Sequence, residues 1–92
     1  MKLSWDEAKR QITLEERELD FASAAELFDV SNYNYTTEDE RYDYGERRFI
    51  SFGLINNRLC VVVWTPRGKV RHIISMRKAN DREQKDFKIT LG

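Results

Sequence analysis

A single cysteine, Cys60, excludes an internal disulfide framework, and its place inside an apolar run makes burial as a small hydrophobe its expected role. A single histidine, His72, cannot make a metal site, and no Cys/His cluster accompanies it. No apolar run approaches the roughly 18 residues that a membrane helix requires. The opening Met1-Lys2-Leu3-Ser4-Trp5-Asp6 lacks the apolar segment of a signal peptide, so the expected location is the cytoplasm. There is no Gly-rich phosphate loop and no Ser/His/Asp set, and nothing calls for a cofactor.

What is present is charge. Hydrophobic residues make up 40% and charged residues 35% of the 92, which describes a globular chain of one domain, residues 1–92, with one modest core. The net charge of zero hides an asymmetry. Residues 1–46 hold five Lys/Arg against thirteen Asp/Glu, a balance of −8, and residues 47–92 hold eleven against three, a balance of +8. One reading is internal, with an acidic helical half neutralising a basic sheet. The other is functional, with part of the basic half free to meet phosphates.

The stretch from Arg58 to Ala79 organises the rest. Leu59-Cys60-Val61-Val62-Val63-Trp64-Thr65 is uncharged and rich in β-branched residues, as a strand buried on both faces requires, so it is expected at the sheet centre. Pro66-Arg67-Gly68 supplies turn chemistry. Val70 to Arg77 then alternates. Strict period two puts Val70, His72, Ile74 and Met76 on one face and Arg71, Ile73, Ser75 and Arg77 on the other.

Around that hairpin, Lys2–Trp5 reads as a short first strand and residues 6–19, free of Gly and Pro, as a mostly solvated helix capped by Asp6. Ser23-Ala24-Ala25-Glu26 has the form of a capping box ahead of a second helix carrying Leu27 and Phe28. Residues 31–37 read as an extended piece or loop, and Glu38-Asp39-Glu40 as a solvated turn. Arg47–Phe52 is a second clear strand, Gly53–Asn57 a turn, and Asn80 or Asp81 caps a final helix. The expected fold is α+β, a small antiparallel sheet with helices packed on one side, in the order strand, two helices, three strands, helix.

Arg67, Arg71 and Arg77 are the sharpest functional feature. Arg77 precedes a helix N-terminus, where backbone N–H groups and the helix dipole favour an anion. Arg67 and Arg77 could therefore bracket one phosphate with planar, bidentate hydrogen bonds. Arg71 is as readily a solubilising residue, and Arg48 and Lys78 extend the basic set. His72, on an apolar parity, reads as a satisfied core or edge histidine. Tyr33, Tyr35, Tyr42 and Tyr44 could stack on bases, though packing along a sheet margin is the commoner use.

Several pieces together resemble the BrnT family of type II toxin–antitoxin toxins. They are Trp5-Asp6 with Lys9; Phe21, Ala24-Ala25 and Phe28-Asp29; Gly45-Glu46-Arg47-Arg48-Phe49 and Gly53; Arg58-Leu59, Val61-Val62-Val63 and Thr65; Arg67-Gly68; and Arg71 to Ala79 with Arg82-Glu83. The resemblance implies a small ribonuclease with a RelE-like fold, neutralised by a BrnA-like antitoxin that has a ribbon-helix-helix DNA-binding part, so that operator DNA is met only through the antitoxin. It implies that Arg67 and Arg77, with Lys9 as a weaker candidate, support RNA cleavage; Arg71, Arg48 and Lys78 are the further positions expected to bind RNA or phosphate. No metal is needed for that chemistry, because fixed cations can stabilise the charge developing on phosphorus.

The chain also departs from the family. Where Asn and then Lys-His-Gly are usual, it has Thr13 and Glu16-Arg17-Glu18, and Phe87 stands where tyrosine is common. Arg17 cannot act as a base near neutral pH, and the usual glycine helix cap is gone. The expected function is therefore a metal-independent endoribonuclease toxin that inhibits translation. The alternative is a weak or inactive subunit that binds the antitoxin and co-represses its operon.

Overall fold

The computed structural model describes residues 1–91, the side chains of residues 90 and 91 aside. The chain runs β1 (Lys2–Trp5), α1 (Glu7–Arg17), a 3-10 turn (Phe21–Ser23) continuing into α2 (Ala24–Leu27), β2 (Asn34–Glu38), β3 (Phe49–Ile55), β4 (Arg58–Arg67), β5 (Val70–Lys78) and α3 (Asp81–Leu91). The strands form one five-stranded sheet in the order β1-β5-β4-β3-β2. The uncharged run of β4 is central as expected, and Cys60, Val61, Val62, Trp64 and Thr65 are buried from both sides. Each large apolar side chain so removed from water contributes about 1.5–3 kcal/mol.

Three architectural expectations need correction. The sheet is mixed rather than antiparallel, because β1 lies parallel to β5, with Ser4 opposite His72 and Trp5 opposite Ile73. It has a fifth strand where residues 31–37 left the choice open. Tyr35, Thr36 and Thr37 pair with β3, Thr36 Oγ1 lies 2.7 Å from Ser51 Oγ, and the Tyr35 ring packs on Phe52. Helices also cover both faces. Phe21, Ala24 and Leu27 bury one face with Cys60, Val62, Trp64, Ile73 and Met76, whereas Phe87 of α3 packs on the other with Leu59, Val61 and Ala79. Phe87 can do so because β4 is apolar on both sides, which leaves either face able to accept a helix.

The first of these cores depends on close approach. A Cβ on Gly53 would lie 2.7 Å from Leu27 Cγ, so α2 rests on β3 only because that residue has no side chain. The β3–β4 turn uses Asn56 and Asn57 at φ 51° and 63°, the left-handed pair that a two-residue hairpin turn needs. The expected capping box at Ser23 does not form. Asp20 instead accepts from the Ala22 N–H, and the reciprocal box occurs at α3, where Asn80 Oδ1 accepts from the Glu83 N–H and Glu83 Oε1 from the Asn80 N–H.

α1 buries no residue and flanks β5 beyond the reach of β1. Arg17 ties it there, donating from Nη1 to the Met76 carbonyl at 2.8 Å. The missing helix-cap glycine is replaced by Glu18, which takes φ 57° and ψ 33° itself and donates its N–H to the Leu14 carbonyl.

Candidate functional site

Strict alternation fails in β5, with consequences for every arginine on it. Val63 pairs with Ser75 but Trp64 pairs with Ile73, so Ile74 has no partner on β4. This one-residue bulge inverts the phase of the strand. On one side of it Arg71 and Ile73 share the face of Trp64; on the other, Met76 takes that face and Arg77 lies opposite, with Val61. Arg71 and Arg77 therefore project from opposite faces, not the same one. Arg67 lies six positions along β4 from Val61, the partner of Arg77, so the two arginines stand roughly 20 Å apart along the hairpin at about 3.3 Å per residue. They do not bracket one phosphate.

The face that α3 only partly covers is open. Its groove, of about 430 Å³, has Ile50, Val61, Val63 and Ser75 as its floor, with Arg77 and Arg41 at its rim. Arg77 is held fork to fork by Glu83, with Nη1 and Nη2 each 2.8 Å from a carboxylate oxygen. The helix N-terminus that was expected to attract a phosphate thus already holds a carboxylate. That contact raises the arginine above its ordinary pKa and lowers the glutamate. Across the groove the sheltered Asp39 accepts from Arg41 Nε and Nη2 and from the Tyr44 hydroxyl, chiefly the arginine contact keeping it far below the usual carboxylate range.

Beyond the groove, the same face carries the buried Thr65, the half-buried His72 and, by alternation, the exposed Arg67. Arg67 is exposed and makes no hydrogen bond or ion pair among the described residues, and the same holds for the Lys9 side chain in the first turn of α1. Arg48 is half-buried, its guanidinium 4.0 Å from the Tyr44 ring centroid and 3.5 Å from Glu46 Oε1. Arg71 belongs elsewhere. On the helix-bearing face its guanidinium lies 3.8 Å from the Phe28 ring centroid and 4.5 Å from that of Trp64, without a carboxylate partner, and burial lowers its pKa. Lys78 is exposed on that face too, beside Glu18, Asp20 and Arg58. The structure therefore gathers Lys9, Arg67 and Arg48 toward one end of the open face, puts Arg77 at its other end, and excludes Arg71 and Lys78 from it.

His72 is a satisfied histidine, as expected of it, and it faces the same side of the sheet as Thr65 and Arg67. It is half-buried on the open face, and its Nδ1 is 2.8 Å from Ser4 Oγ. The bulge puts it on the opposite face from Met76, with which strict alternation would group it. The tyrosines take their packing role, Tyr33 against Phe87, Tyr35 against Phe52 and Tyr42 against Tyr44.

Residues 5–83 match the family described as the ribonuclease toxin, BrnT, of type II toxin–antitoxin systems. The chain belongs to the BrnT family. That match runs from Trp5, the last residue of β1, to Glu83 in α3, so strands β2 to β5 and all the residues lining the groove fall within it. Neither the curated proteins nor the solved structures include a match. Membership of a BrnT-type toxin family implies an antitoxin partner and, at the level of the family, ribonuclease chemistry. Among the described residues no helix is long and apolar enough to cross a membrane, and no group of His, Cys, Asp and Glu could hold a metal ion.

Proposed function

We propose that this chain is a metal-independent endoribonuclease that cuts cellular RNA in the cytoplasm, inhibits translation, and is silenced by a BrnA-like antitoxin with a ribbon-helix-helix part. The observation that carries the reading is an open sheet face with unpaired cations at one end, Lys9 and Arg67, and an oriented guanidinium at the other, Arg77. A strand of RNA laid along that face would meet Arg67 and Arg77 through different phosphates. Arg48 would assist at the Arg67 end. Arg71 and Lys78, on the far face, would contact only RNA that wraps the sheet edge. Fixed guanidinium groups stabilise negative charge that develops on phosphorus, and each such donor is typically worth about 10²–10³ in rate.

The test is cleavage of an end-labelled RNA in excess EDTA by the wild type and by Arg67→Ala, Arg77→Ala and Lys9→Ala. Cleavage that survives EDTA and falls in the folded arginine variants supports the reading. Full activity in both arginine variants would overturn it.

A second reading has its own support. Arg17, standing where the family usually has histidine, is tied to the Met76 carbonyl, and the donor fork of Arg77 is occupied by Glu83. A chain so arranged could bind the antitoxin and reach operator DNA only through it while cutting RNA slowly. Antitoxin binding without growth arrest on expression would favour this version.

A further inference from the structure

His72 is the only side chain in the sequence whose ordinary titration lies near neutral pH, and it lies on the open face. Its position is built by three strands. β1 places Ser4 directly opposite it, β4 places Thr65 on its other side, and the Thr65 hydroxyl is already committed to the Arg47 carbonyl at 2.6 Å. The contact of Ser4 Oγ with Nδ1 at 2.8 Å fixes the ring and leaves Nε2 as the nitrogen with no partner among the described residues. The charges that reach the ring are Asp6 and Lys9 from the start of α1, Glu46 from the segment before β3, and Arg67 from the end of β4. Burial first, then Arg67 and Lys9, push the imidazole below its usual value against the opposing pull of Glu46 and Asp6. That shift favours the uncharged ring, the form a proton acceptor needs.

We propose that Nε2 of His72 accepts the proton of the ribose 2′-hydroxyl during RNA cleavage, with Arg67 and Lys9 beside it to hold the phosphate. The proposal rests on the ribonuclease reading above and supplies the base that Arg17 cannot be. In the step, the 2′-oxygen gives its proton to Nε2 and forms a bond to phosphorus. The bond from phosphorus to the 5′-oxygen breaks, and that oxygen takes a proton from water. The products are a 2′,3′-cyclic phosphate and a 5′-hydroxyl, and the imidazolium returns its proton to solvent. For Nε2 to accept, Nδ1 must carry the hydrogen and donate it to Ser4 Oγ, which makes Ser4 a positioning residue.

The experiment uses the whole chain and a short RNA. Cleavage rate is followed from acid to alkaline pH, and the single histidine is titrated by proton NMR, where its ring resonance needs no assignment. The expected result is a rate that falls on the acid side with the same midpoint as the NMR titration. His72→Gln should lose about 10²–10⁴ in rate together with that acid limb. Its affinity for a 2′-deoxy analogue should not change, and Ser4→Ala should move the midpoint. A folded His72→Gln that cuts at the wild-type rate overturns the proposal and leaves the ribonuclease reading standing. So does a wild-type acid limb that is absent or displaced from the NMR midpoint, a comparison that holds even if the variant fails to fold. A wild type that binds RNA but never cuts it overturns both.

Discussion

The guanidinium of Arg77 and the carboxylate of Glu83 meet through two parallel hydrogen bonds of 2.8 Å, while the same carboxylate closes the capping box of α3 with Asn80. One acidic side chain thus orients the arginine and starts the helix. The pair is partly exposed, with 46% and 20% of the two side chains accessible, so its coupling is expected to be modest, about 1 kcal/mol or less. A double-mutant cycle of Arg77→Ala and Glu83→Gln on unfolding free energy measures it. Glu83→Gln retains a capping group but loses the ion pair, so helix α3 should persist while Arg77 is less well held. RNA cleavage should then fall more than the unfolding midpoint does. Equal cleavage in Glu83→Gln and wild type would show that the orientation of Arg77 is irrelevant to the reaction.

Glu18 sits in the left-handed region without being glycine, a conformation that costs a residue with a Cβ roughly 1–2 kcal/mol. Replacing it with glycine relieves that strain and loses some chain entropy. Glu18→Gly should therefore stabilise the protein by about 0.5–1 kcal/mol in chemical denaturation. A lower midpoint would contradict this account of the α1 terminus.

Arg17 acts in the fold as a clamp from α1 onto β5 through the Met76 carbonyl. Arg17→Ala should cost about 0.5–1.5 kcal/mol of stability without reducing the RNA cleavage rate. Replacing residues 16–18 with Lys-His-Gly removes that clamp while relieving Glu18, so the two effects on stability oppose each other. Loss of cleavage in a stable Arg17→Ala would return Arg17 to the chemistry.

Gly53 admits Leu27 at a distance that no Cβ tolerates. Gly53→Ala should destabilise by about 1–3 kcal/mol through overpacking. Because Leu27 is fully buried, Leu27→Ala alone is expected to cost about 2–5 kcal/mol. The double variant should lose less than the sum of the two, since the side chain that clashes is gone. Strict additivity in thermal or urea unfolding would place the cost of Gly53→Ala in the backbone instead.

Asp39 gives the fold an acid sensitivity of definite sign. Its carboxyl is held below the ordinary carboxylate value, chiefly by Arg41, so the folded state binds fewer protons than the unfolded chain. The stability it contributes is complete above the ordinary value and is lost as pH falls toward the folded one. His72 acts in the same sense at higher pH, its depressed value making the folded state weaken as the solution drops below the ordinary histidine range. Asp39→Asn should flatten the acid limb of a urea-midpoint profile, and His72→Gln the limb nearer pH 6.5. Profiles unchanged in both variants would remove these groups from the linkage.

Much of this protein was decided by local sequence. The uncharged run of β4 could only be a central strand, Asn56-Asn57 and Gly68 could only be turns between strands, and the polar α1 could only lie on the surface, because composition and side-chain volume fix those outcomes wherever the segment ends up. Cys60 was placed as firmly, by the residues on either side of it. Tertiary structure alone decided the rest. Parity along β5 is broken by a bulge that exists only in the pairing with β4, so the separation of Arg71 from Arg77 and the membership of His72 in the open face are properties of two strands rather than one. The parallel pairing of β1 with β5 joins residues about seventy positions apart, and it brings Ser4 to His72. No periodicity within either segment encodes that contact. Pairing across the sheet made it, and it fixes the ring of the chain's one histidine beside the end of β4.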